Sequence, residues 1–336
     1  MRPLLLVLLA FASAAQAQTL VVVNKGDNDV SLVDIASGVT RTRIPAGEGP
    51  HEVATSPDGR WAVVTNYGRS QGGNTLNVID VANGSLIDTH STGEHTWPHG
   101  IVWAGDRVWV TAENEGESGA LLGVDPVDGT TLAAIPTAQA QSHMVALHPD
   151  GVRAYVTNIA SGSVTAIDLV QQQRLASVVT GRGAEGLAVS PDGRELWVAN
   201  QADNDIVVLD ADTLAPLARV RAPSLPIRVA FTPDGSRVLV TCARTEQISV
   251  FDAQSREMIA HVHFPRDKIV PQWAYGYAQN IVGLLIAPDG KHAYAALLPS
   301  REIAEINLDD YSIERYLPVG RQPDGMAWSP LTVTAP

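Results

Sequence analysis

Cysteine is almost absent from this chain. Cys242 stands alone among 336 residues, so neither an intramolecular disulfide nor a paired-cysteine metal site can form, and the C-x-x-C-H motif that attaches haem covalently is missing. After the first 17 residues no stretch approaches the roughly 18 apolar residues of a spanning helix, which argues against membrane insertion. Only 18% of residues are charged, the formal net charge is −13, and Lys and Arg form no stripe, so nucleic acids and anionic lipids are poor partners. Neither a Ser/His/Asp pattern nor a phosphate loop is present. The segment Gly181–Gly186 matches G-x-G-x-x-G but leads into a strand rather than a helix, so no nucleotide is expected.

What remains is repetition. From Gly47 to Gly93 the chain reads as four short segments rich in Val, Ile and Thr, separated by Ser-Pro-Asp-Gly, a glycine-rich loop and Ala-Asn-Gly. Segments of 5–8 residues punctuated in this way are strands, and four of them form one antiparallel meander. Counting back six residues from each turn proline, or its equivalent, gives seven anchors: His51, His99, His143, Glu185, Ile227, Val282 and Asp324. Their spacings are 48, 44, 42, 42, 55 and 42 residues, the period of propeller blades. The expectation is an all-β, seven-bladed propeller with four antiparallel strands per blade. Residues Leu20–Ile44 supply three strands and lack an inner one, whereas Gly325–Trp328 supply an inner strand alone, so the two ends should close one blade.

Met1–Ala17 reads as a signal peptide, with Arg2, an apolar run and the small-residue pattern Ala15-Gln16-Ala17. Residues 18–336 are then one propeller domain, placed in the periplasm or secreted.

The second strand of each repeat ends VVVN at Asn24, VVTN at Asn66, YVTN at Asn158 and WVAN at Asn200, with weaker copies at Ala112, Cys242 and Leu297. With the Asp turns after Asp34, Asp80, Asp168 and Asp210, the chain resembles the YVTN-repeat family of β-propellers. In length, leader, repeat type and an insert before the last full repeat it is similar to propellers encoded with PQQ-dependent alcohol oxidation. That resemblance implies an accessory role beside a periplasmic quinoprotein dehydrogenase.

The anchors should ring one mouth of the central channel. Three of seven are His, where chance would place about 0.2. His51, His99 and His143, with Glu185 and Asp324 beside them, are the ligand set expected for Cu, Zn or Fe, or a frame for a small anion. His95, Trp97 and Arg228 lie close by in register as candidate ligand-binding residues. Trp273, Tyr275 and Tyr277, in the insert, are candidates for a pocket wall or a contact with a periplasmic protein partner. Two classes stand: a binding or accessory protein that takes a small molecule at the mouth, and a metal-dependent oxidoreductase or lyase. Covalent haem is not expected, and non-covalent haem stays open.

Overall fold

The computed structural model describes residues 18–114, 118–245, 247–269 and 280–334. Among them, 28 strands form seven four-stranded antiparallel sheets. Each inner strand packs on that of the next blade and the last returns to the first, which is the seven-bladed propeller expected from the repeat. Blade I joins the strands Thr19–Asn24, Asp29–Asp34 and Val39–Pro45 to the inner strand Pro323–Ser329. Leu20 faces Trp328 and Val22 faces Met326 across that closure. Blades II to VII are consecutive meanders whose inner strands are Pro50–Thr55, Pro98–Ala104, Ser142–Leu147, Ala184–Val189, Pro226–Phe231 and Ile281–Ile286.

The middle strands of a blade are covered on both faces by neighbouring blades. They are therefore apolar along their length, as in Leu196, Trp197, Val198 and Ala199, all buried. Outer strands such as Ser85–Ser91 are mostly exposed. The glycine of each Pro-Asp-Gly turn takes φ between 68° and 75°, at Gly59, Gly151, Gly193, Gly235 and Gly290, a region where a side chain is strained.

Two residues of the V-T-N repeat join the blades. The Asn side chain caps the link between one blade's outer strand and the next inner strand: Asn66 Oδ1 accepts from Gly47 N–H at 3.1 Å and Asn24 Oδ1 from Gly320 N–H at 2.9 Å. The Thr hydroxyl accepts from the inner strand of its own blade and donates to the anchor carbonyl of the next. Thr111 receives Gly100 N–H at 2.8 Å and donates to His143 O at 2.5 Å. Thr65 donates in the same way to His99 O and Thr157 to Glu185 O. Thr111→Val keeps the shape and orphans a buried N–H and a carbonyl, so a loss of about 1–3 kcal/mol is expected in urea unfolding. A change near zero would remove the hydroxyl from the inter-blade linkage.

Around the axis, the residue after each anchor alternates between side chain and glycine: Gly325, Glu52, Gly100, Met144, Gly186, Arg228, Gly283. The inner strands converge so closely there that a Cβ on Gly283 would lie 2.1 Å from Asp324 O, and one on Gly186 2.3 Å from Ile227 O. At each of these glycines the backbone of the next inner strand occupies the place of a side chain, and Gly283 and Gly325 are the one adjoining pair.

Candidate functional site

Each anchor is the second residue of its inner strand, and in blades II to VII the register slips just after the first residue. Such a bulge sets two residues against one, so His51 and Glu52 together oppose Thr65. In blades II and VI the anchor's successor thereby joins the ring, as Glu52 and Arg228.

His51, His99 and His143 stack in sequence. Ring centroids are 4.5 Å apart for the first pair and 3.6 Å for the second. His99 is 1% exposed, and its Nδ1 has no hydrogen-bond partner among the described residues. Burial holds His51 and His99 well below the ordinary imidazole value, so both are neutral. Burial acts on His143 in the same direction, but Glu113 on Nδ1 at 2.7 Å and Glu185 at 3.7 Å from Nε2 outweigh it and raise it to about 9. His143 is therefore an imidazolium at neutral pH.

A belt of alternating charge runs through the ring. The Arg228 guanidinium, its side chain 12% exposed, lies 2.5 Å from Glu52, 3.7 Å from Glu185 and 3.8 Å from Asp324. Burial opposes its charge, and these three acids more than restore it. Burial also raises the carboxyls of Glu52 and Asp324 above their usual range. Lys25 Nζ stands 2.9 Å from His51 Nε2, which lies 3.8 Å from Asp324 Oδ2. Tyr67 donates to Glu113 Oε2 at 2.9 Å, stacks on His51 and meets His99 and Trp97 edge-on. Burial, then Glu113, pushes its phenol up.

Above the belt a cavity of about 500 Å³ opens between blades I and II, lined by Lys25, Gly26, Gly49, Gly68, Arg69, Arg321 and Gln322. Arg69 is paired with Glu48 at 3.2 Å, while Arg321 shares Asp27 with Arg43. Among the described residues, Lys25 has no carboxylate closer than Asp324 at 4.0 Å. The rim is cationic on the blade I side.

The structure thus brings His51, His99, His143, Glu185, Asp324 and Arg228 together around one channel. Arg228 sits within the ring, beside the carboxylates of Glu52, Glu185 and Asp324. His95 stays half-buried in the loop before blade III, its Nδ1 3.4 Å from Asn114 Nδ2, and does not line the cavity. Trp97, at φ 60°, packs its indole over Gly72, so it wedges a loop. Trp273, Tyr275 and Tyr277 lie outside the described residues. Lys25, Tyr67 and Glu113 escaped the sequence reading, although all three immediately follow the Asn position of their repeats, a second register as regular as the anchors.

The expectation of a bare Cu, Zn or Fe ion does not hold. His143 is held between Glu113 and Glu185, and Lys25 Nζ at His51 Nε2 and the Arg228 guanidinium beside Asp324 already place positive charge among the three rings. Among the described residues, three donors within 4.8 Å of one another occur instead at His292, Glu305 and Glu314 of blade VII. There Glu305 is already engaged by Tyr294 and Arg315.

Comparison with known proteins overturns the same expectation from another side. Among curated proteins, none matches the chain. Many solved structures match this chain, two of them over most of its length. A functionally unknown protein from Desulfotomaculum acetoxidans DSM 771 is 15% identical at a TM-score of 0.75, covering 93% of this chain and 99% of that one. Hydrazine synthase from Kuenenia stuttgartiensis is 18% identical at 0.72, covering 86% and 92%. The family profile of the cytochrome D1 heme domain matches residues 108–307, from the second strand of blade III to the third of blade VII. That stretch includes His143, Glu185 and Arg228. A family named for haem replaces both the bare metal ion and the expected absence of covalent haem, which rested on one missing attachment motif. More than half of the chain lies within the match, and the chain belongs to the cytochrome D1 heme domain family.

Proposed function

We propose that this protein is a binding protein that receives a carboxylate-bearing tetrapyrrole at the channel mouth. The observation that carries the reading is the cavity of about 500 Å³, within the usual size of small-molecule sites, rimmed by Lys25, Arg69 and Arg321. Cations in a recess attract carboxylates; Lys25 stands 4.0 Å from Asp324, whereas Arg69 and Arg321 would share a ligand carboxylate with Glu48 and Asp27. The family supplies the class of ligand.

The residues fit the carboxylates of a haem better than its iron. His143 is held between acids, His51 Nε2 faces Lys25, and His99 is stacked between the other two rings. A bound haem would supply a redox-active iron, whereas Lys25, Arg69 and Arg321 would bind and orient its carboxylates. The leader-like Met1–Ala17 supports an exported setting, and the YVTN-like repeat supports kinship with propellers that accompany quinoprotein dehydrogenases. Both belong to the proposal.

Titration with ferric haem and with iron-free coproporphyrin tests it. Both should bind, and Lys25→Ala or Arg321→Ala should each weaken binding about two- to fivefold, the effect of losing one partly exposed charge pair. Binding of haem alone, unmoved by either substitution, would overturn the carboxylate reading.

A further inference from the structure

We propose that Lys25 and His51 form a proton-linked latch: a ligand carboxylate draws Lys25 away, and His51 takes up a proton and pairs with Asp324. The proposal rests on the carboxylate reading above. An ammonium only donates hydrogen bonds, so at 2.9 Å from Lys25 Nζ the His51 Nε2 must be the accepting nitrogen, and Nδ1 carries the hydrogen. A protonated His51 would have a donor at both nitrogens. Lys25 contact and His51 protonation therefore exclude each other.

The geometry provides both states. Lys25 reaches into the ring from the turn after the first strand of blade I, yet its side chain is 38% exposed and lines the cavity, so a ligand can reach it from outside. Asp324 Oδ2 already lies 3.8 Å from His51 Nε2, on the inner strand of the same blade I. Once Lys25 leaves, that carboxylate is the acceptor at hand. Lys25 takes one positive charge away from the ring and the proton on His51 restores it, so the buried ring keeps its net charge. That is the cheaper course where solvent cannot screen.

The other groups around His51 fit the same picture. Glu52 is the next residue and is held by Arg228. His99 and Tyr67 pack on its ring, and His143 lies beyond His99. After burial, Lys25, His143 and Arg228 are what keep His51 neutral in the free protein. Neutralising Lys25 removes the nearest of these charges. Because a proton is taken up, binding tightens as pH falls, by up to about tenfold per pH unit between the free and bound titration points of His51.

Two measurements decide it. In ligand-free protein, ¹⁵N NMR of the His51 ring should titrate at least one pH unit higher in Lys25→Met than in wild type. Calorimetry with iron-free coproporphyrin at pH 6, in buffers of differing ionisation enthalpy, should show uptake of more than half a proton per porphyrin. His51→Gln, whose amide oxygen still accepts from Lys25, should show none and a pH-independent affinity. An unmoved His51 in Lys25→Met overturns the latch whatever the ligand. So does porphyrin binding that exchanges no proton and is flat from pH 5.5 to 8. Absence of any porphyrin binding overturns the ligand assignment instead.

Discussion

Arg228→Met should destabilise the propeller by about 3–5 kcal/mol, because it strips the cation from three acids while leaving them buried. Glu52, Glu185 and Asp324 all lie within 3.8 Å of this guanidinium. The sign of the pH dependence follows from Glu52 and Asp324. Burial already raises both carboxyls, so the folded state holds their protons more tightly than the unfolded chain does. Loss of Arg228 raises them further. Folding then gains as pH falls through the raised values toward the ordinary 4.5 and 3.8, and the deficit is largest above them. Urea midpoints at pH 5 and pH 8 should differ from wild type less at the lower pH. A deficit below 1 kcal/mol at both, or one that grows on acidification, would show that the belt does not depend on its central cation.

Deleting Pro323–Pro336 is expected to abolish the monomeric folded state. The segment Pro323–Ser329 is the inner strand of blade I, and without it Thr19–Asn24, almost wholly buried, becomes an open edge facing the channel. Asp324 leaves with it, and with it two of the contacts that tie blade I to the ring, those to His51 and Arg228. Size-exclusion chromatography should show aggregates or higher oligomers, and a peptide of the missing residues added during refolding should restore the monomer. A truncated chain that stays monomeric and melts cooperatively would show that closure contributes little here.

Architecture was legible because a propeller repeats its local chemistry seven times. A Pro-Asp-Gly turn, an apolar second strand and an Asx turn recur at one period, and each error of reading would have had to recur as well. The anchor register, His51 through Asp324, carries the same advantage, since residues at one place in successive blades must face one axis. The alternation of glycine and side chain at the next position also lies open in the sequence. Its meaning needs the inter-strand distances near the axis.

The candidate site divides along a different line. By itself the sequence determined that three imidazoles and two acids share one channel mouth, and that no cysteine chemistry joins them. It did not determine what those imidazoles are. Protonation depends on neighbours distant in the chain: Glu113 lies 30 residues from His143, and Lys25 26 residues from His51. Those partners make one ring an imidazolium and keep another neutral, turning an expected ligand set into a charge belt. Only the tertiary structure decides this, because a titration point is set by burial and by charges a few ångströms away, and neither is a property of residue type or spacing.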